Sequence, residues 1–251
     1  MNLGRPQYDN CGHAILITAH DCLNNYLRLI AHQAPIESSL IKALPDHLNA
    51  EVVSGTINNV REAIAWLSYT FLHIRLCKNP IVYGVPFEES YHDPQMQLKR
   101  TELVRNALQI LDQCTMIRYD PRSENIASTD MGRIASYYYI KHGTIEAFNT
   151  MLSAQLSDSE SLHVMCSSAE FDQLKLRPEE LVEMDKLKKH SYVRCRAPLE
   201  DTAGKVNVLL QGYMDQCKVT SFTLQSDMNY IGMLNAIFPI LNFILKHHLL
   251  L

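Results

Sequence analysis

The sequence has no C-x-x-C pair. Its seven cysteines, Cys11, Cys22, Cys77, Cys114, Cys166, Cys195 and Cys217, are scattered and odd in number. That pattern speaks against a zinc site and suits reduced thiols in the nucleus or cytosol. The eleven histidines, among them His20, His32, His47 and His73, show no ligand spacing, so no metal site is expected. There is no G-x-S-x-G elbow and no H-E-x-x-H helix, which leaves hydrolase and zinc-protease chemistry without support. There is no phosphate-binding P-loop either. The nearest fragment, Ala203-Gly204-Lys205-Val206, has Leu199 where the first glycine belongs and Val206 where the magnesium-binding hydroxyl belongs, so it reads as a helix start. Positive charge is not in excess: 23 Lys and Arg stand against 27 Asp and Glu, a net charge of −4. Any nucleic-acid contact must therefore come from local patches. No basic n-region with an apolar core opens the chain, so no secretory signal is seen. Ile231 to Leu245 is too short and interrupted for a membrane span, which needs about 20 apolar residues.

What is present suffices for one large domain or two small ones: 251 residues, 47% of them hydrophobic. The organising stretch runs from Thr129 to Asn149. Thr129 is placed to cap a helix, Asp130 favours its positive end, and Gly132 in the first turn admits a close backbone neighbour. His142-Gly143 reads as a stop, with Gly143 left-handed, and Thr144 reads as the next cap with Glu146 in the following first turn.

Upstream, His13 to Thr18 is strand-like and Asp21 to His32 helical. Ser38 to Leu44 and Asp46 to Ser54 are two short helices or one helix kinked at Pro45. Asn58 or Asn59 caps a helix that the spacing of Val60, Ile64, Leu67, Phe71 and Ile74 carries to about Lys78. Trp66 and Phe71 are expected to be at least partly buried on it. Tyr83 to Pro94 reads as loop and Gln95 to Gln113 as helix. Thr115 to Tyr119 and Asn125 to Ser128 flank the turn Asp120-Pro121-Arg122-Ser123 as a hairpin. Three helices and a hairpin are the order of a winged helix. Beyond Thr144, helices are expected at Thr144 to Ser153, Ser159 to Ser167, from Pro178, at Thr202 to Cys217 and from Asp227. Val206, Leu209, Leu210 and Tyr213 are expected inside. Arg118, Arg122, Arg133 and Lys141 form a possible basic edge for phosphate contact; the rival reading is a solvated face.

Three runs carry a resemblance: Pro35 to Thr56, Y-Y-I-K-H-G-T-I-E-A-F-N (138–149) and A-E-F-D-Q-L-K-L-R-P-E-E (169–180). They resemble large Ski-like superfamily-2 helicases of the dual-cassette type, the enzymes of the spliceosome and of the activating signal cointegrator complex, with the last two runs nearer the latter. The likeness extends from about Gly4 to Tyr230. It implies a mainly α fold: residues 1–34 as a short remnant of the second RecA-like α/β domain, 35–142 as a winged-helix domain, and 143–251 as a partial helical bundle, atypical after about residue 230. Gly4 to Asp9 is similar to the end of helicase motif VI, which gives Arg5 the place of an arginine facing the γ-phosphate of ATP. The P-loop and the acidic helicase motif are absent, so the chain is expected to be inactive alone and to hold no cofactor. ATP and magnesium are implied for the whole family. The resemblance implies an accessory region of an ATP-dependent RNA or DNA helicase. Its partners would be single strands, held weakly here, RecA-like domains, and subunits of a cointegrator-type or spliceosomal complex. Its location would be nuclear or cytoplasmic. The alternative is a non-enzymatic winged-helix adaptor for a protein partner.

Overall fold

Pro45 does not divide the second helix. In this computed structural model, which describes residues 13–31, 33, 35–153 and 155–233, Leu40–Val53 is one α-helix (α2) with Pro45 inside it. The ring removes one backbone hydrogen bond, but Leu44, Leu48 and Val52 recur at i, i+4 and i+8 and are all buried. Burial of that stripe outweighs the lost bond.

The described residues fall into two compact units that divide between Ser38 and Ser39. In the first, a short 3-10 turn at His20–Cys22 leads into α1, Leu23–Ile30. Among the described residues, His13 to Thr18, expected as a strand, is not assigned to a ladder, and the RecA-like remnant is not evident. An extended segment becomes a strand only when a neighbour takes its backbone hydrogen bonds.

The second unit begins with α2. Asn59 then caps α3, Val60–Ser68, accepting from the Glu62 amide at 3.0 Å. The expected long helix breaks at Thr70, which is extended and donates its hydroxyl to the Leu67 carbonyl at 2.7 Å. A threonine that bonds the preceding turn competes with helix continuation. The chain restarts as α4, Phe71–Lys78, one position out of phase. Leu72 and Leu76 enter the core, while Phe71 and Ile74 are half exposed. Trp66 packs partly buried against the core, as expected. A 3-10 turn, Pro80–Tyr83, follows α4, and the stretch expected as loop holds α5, Phe87–His92. Then α6, Gln97–Gln113, packs on α2 and α3 and leads to the hairpin of β1, Ile117–Tyr119, and β2, Ile126–Ser128.

After the hairpin, α7 (Asp130–Tyr138) starts as expected: Thr129 Oγ1 accepts from the Gly132 amide at 3.0 Å. A Cβ on Gly132 would stand 2.0 Å from the Met116 carbonyl oxygen, so two backbones do touch there. The helix closes earlier than expected. Tyr139, not Gly143, takes the left-handed conformation (φ 58°), and Ile140 donates back to the Ala135 carbonyl at 2.8 Å. Gly143 and Thr144 therefore lie inside α8, His142–Met151.

The helical part continues with α9 (Asp158–Cys166), entered through a capping box of Ser157 and Glu160, and 3-10 turns at Ala169–Phe171 and Pro178–Glu180. Among the described residues it continues through α10 (Leu181–His190), α11 (Thr202–Met214) and α12 (Phe222–Met233). Of the positions expected inside α11, Val206, Leu209 and Leu210 are buried and Tyr213 is 42% exposed. Asp227, expected as a helix start, sits in the middle of α12. Helix α11 packs on α9, α10 and α12.

Candidate nucleic-acid interface

The hairpin tip is built by Asp120. Its carboxylate accepts from the Arg122 amide at 3.0 Å, the Ser123 amide at 3.3 Å and the Ser123 hydroxyl at 2.7 Å. The Ser123 hydroxyl, followed by the Arg122 amide, holds this carboxyl below its ordinary range. Glu124 closes the turn in the left-handed region (φ 57°) and pairs with Arg105 at 2.9 Å. Asp112 on α6 accepts from the Tyr119 amide at 3.0 Å, and the Ile126 amide donates to Asn58 at 2.9 Å, so the hairpin is fastened at both edges.

On this frame Arg122 is at the turn and Arg118 points outward from β1. Both are exposed, and neither side chain has an ion-pair or hydrogen-bond partner among the described residues. Arg133 on α7 reaches the base of the hairpin, donating to Ser128 Oγ at 3.2 Å, but it is ion-paired with Asp130. Lys141 lies past the far end of α7 and donates to the Ala169 carbonyl at 2.9 Å. The four expected residues thus divide. Arg118, Arg122 and Arg133 share the hairpin, and Lys141 belongs to the next junction. Arg5 lies outside the described residues, as does the chain from residue 234.

Aromatic side chains continue the surface beyond Arg133. Tyr137 and Tyr139 are 83% and 90% exposed, and the Tyr137 and Tyr138 rings meet edge to face at 5.9 Å. Arg133 and Tyr137 are four residues apart on one helix face. The run of three tyrosines was the available sequence signal. Its exposure could not be read without knowing that the helix ends at Tyr138.

The P-loop-like fragment is structural. Lys205 is fully buried, and its Nζ donates to Glu180 at 2.8 Å, Asp227 at 2.7 Å and the Lys175 carbonyl at 3.1 Å. A Cβ on Gly204 would stand 1.8 Å from the Pro198 carbonyl oxygen. That backbone and that amine are already occupied by protein and cannot cradle a nucleotide phosphate. Burial raises the Glu180 carboxyl, but hydrogen bonds from Lys205, Thr223 and the Arg177 amide, with the Lys205 charge, bring it below its ordinary range. Among the described residues no group of three or more His, Cys, Asp or Glu is placed to hold a metal ion, and no helix is long and apolar enough to cross a membrane. Burial, with Glu146 and Asp46 adding to it, pushes the Cys114 thiol up to about 11, which suits packing and not nucleophilic use.

Comparison with known proteins matches two domain families in succession along the chain. Residues 37–120 match the winged helix-turn-helix domain family named for SNRNP200, and residues 128–246 match the Sec63 Brl domain family. The chain is 46% identical over 229 residues to activating signal cointegrator 1 complex subunit 3 of Dictyostelium discoideum, covering 90% of this chain and 10% of that protein. It is 42% identical over 229 residues to the U5 small nuclear ribonucleoprotein 200 kDa helicase of Caenorhabditis elegans, covering 91% of this chain and 11% of the relative. A DExH-box ATP-dependent RNA helicase of Arabidopsis thaliana is 43% identical over 235 residues, again across 91% of this chain and 11% of its own length. The chain spans about a tenth of the length of these relatives.

Proposed function

Because the chain belongs to the winged-helix and Sec63 region of Ski2-like helicases, we propose that it serves as the accessory region of an ATP-dependent nucleic-acid helicase. In this reading it braces the RecA-like domains and guides a single strand, while ATP turnover belongs to those domains. The observation that carries the reading is the unbroken run of winged helix and helical part without a nucleotide-binding loop among these 251 residues. Arg118 and Arg122 offer fixed positive charge to phosphates, and Tyr137 and Tyr139 offer faces on which bases can stack. The larger assembly would be of the cointegrator or spliceosomal kind, in the nucleus or cytoplasm.

Titration of a labelled single strand against the chain at several salt concentrations tests this. Arg118→Ala with Arg122→Ala should flatten the plot of log affinity against log salt by about 1.4, the contribution of two phosphates on a single strand. An unchanged slope would remove the hairpin from the interface. The isolated chain should show no strand-stimulated ATP hydrolysis; activity that persists through repurification and Arg5→Ala would overturn the accessory role.

One observation favours the second reading, a non-enzymatic adaptor. Tyr69, Phe71, Ile74, Ile81 and Val82 leave an exposed apolar surface around α4, a feature of protein-contact sites. Helicase association that survives loss of single-strand binding, with no contribution to strand separation, would support it.

A further inference from the structure

Helix α8 begins without a cap of its own. Lys141, its N-cap residue, offers no side-chain acceptor, yet the first turn of any α-helix has amides with no intrahelical partner. Two carboxylates from elsewhere take them. Glu170 Oε1 accepts from the Lys141 amide at 2.8 Å, and Asp46 Oδ1 accepts from the His142 amide at 2.7 Å. Asp46 stands on α2, in the winged helix. Glu170 stands in the 3-10 turn after α9, in the helical part.

Side chains double each attachment. His142 Nδ1 lies 2.9 Å from the same Asp46 oxygen. The Thr144 hydroxyl donates to Glu170 Oε2 at 2.5 Å and accepts from the Ala169 amide at 2.9 Å. The Lys141 ammonium donates to the Ala169 carbonyl at 2.9 Å. Thr144 is wholly buried and Glu170 is 8% exposed, so the bond between them is shielded from water, where charge-assisted bonds are strong. Both anions also sit at the positive end of the α8 dipole.

We propose that the N-terminus of α8 is a coupling joint, which takes one capping carboxylate from the winged helix and one from the helical part and so fixes the angle between them. Apolar packing is non-directional and tolerates sliding, whereas hydrogen bonds weaken steeply when bent. Rotation of either part about α8 must therefore break its carboxylate bonds. The two parts turn as one body while both hold. This inference does not depend on strand binding and stands or falls separately from it.

The test uses the full chain with spin-labelled unnatural amino acids at Arg122, on the hairpin turn, and Lys189, on α10, both exposed. Asp46→Ala releases the winged-helix side and Thr144→Val weakens the Glu170 side, while Thr144→Ser keeps the hydroxyl. The unaltered chain and Thr144→Ser should give one narrow distance distribution. Asp46→Ala and Thr144→Val should each widen it, with unchanged helicity, and in Asp46→Ala the amide exchange of His142 should rise by about tenfold or more, as expected for loss of a bond to a charged group. If both variants fold and keep the narrow distribution, the joint does not set the angle and the proposal fails. If one variant does not fold, the other decides by the same criterion. If neither folds, partial denaturation of the labelled chain decides: melting of both parts in one transition supports coupling, and separate melting overturns it.

Discussion

From α2 to α7 the interior is apolar and rich in leucine; beneath α12 a lysine between two carboxylates is set into it. In the winged-helix part Leu44, Leu48, Leu67, Leu72, Leu76, Leu108 and Leu111 are no more than 1% exposed. One buried cation, Arg100, lies at the edge of that core and is spent on the Ile64 carbonyl and Gln97. In the helical part Lys205, with no exposed surface, joins α11 to Glu180 before α10 and to Asp227 on α12. The two parts close their cores in different ways. Leucines pack with little demand on angle, whereas a lysine between two carboxylates fixes three elements at once but leaves buried charge if any member is lost.

The largest expected effect comes from breaking the ionic side. Lys205→Met leaves Glu180 and Asp227 without their cation and should cost about 3–5 kcal/mol in denaturant unfolding. Adding Glu180→Gln and Asp227→Asn to that variant should recover part of the loss. No recovery would show that the lysine stem, not its charge, is what matters.

On the leucine side the sharper measurement is a pair. Leu72→Ala should cost about 2–5 kcal/mol, and its neighbour Phe71→Ala less than about 1 kcal/mol, because that ring is half exposed. The reverse order would place the α3–α4 break elsewhere. Two glycines of one motif provide the next contrast. Gly132→Ala pushes a methyl into the Met116 carbonyl and should cost about 1–3 kcal/mol. Gly143→Ala meets only ordinary contact and should stabilise by about 0.5 kcal/mol. Equal effects in thermal unfolding would mean the backbone contact at Gly132 yields easily.

The smallest effect is in pH, and the regions differ in sign. His142 is raised above its ordinary 6.5, first by its bond to Asp46, with the Asp46 and Glu146 charges adding and burial opposing. Its contribution is complete below pH 6.5 and is lost as pH rises through the raised folded value. Glu180 is lowered, so its contribution is complete above the ordinary 4.5 and is lost as pH falls through the depressed folded value. Unfolding curves of His142→Asn and Glu180→Gln, compared with the parent across that range, should lose these two slopes at opposite ends. A common slope would contradict the assignment.

Local chemistry made much of this legible in the sequence. Asn59, Thr129 and Pro178 start their elements because caps act within three residues, and Asp120-Pro121 turns the hairpin by the same short reach. The need for glycine at 132 was readable from its place in a first turn. What escaped was decided at a distance. Thr144 had the spacing of a cap, but its hydroxyl is taken by Glu170, and the cap itself comes from Asp46, 96 residues away in sequence from His142. Asp227 had the look of a helix start because nothing nearby announced Lys205. Thr70 broke a helix whose apolar spacing ran through it, and the one-position slip exchanged Phe71 for Leu72. For the interface, the residue types at Arg118 and Arg122 were legible, but the capture of Arg133 by Asp130 and of Lys141 by Ala169 depended on where the side chains turned.

The burial of Lys205 also makes it a chemical clock. An amine with no exposed surface and three hydrogen bonds is closed to acylating reagents, whereas Lys189 on the outside of α10 is open to them. Label can reach Lys205 only in moments when α11 parts from its neighbours, so the rate of its acylation, set against that of Lys189 in the same sample, counts those openings directly.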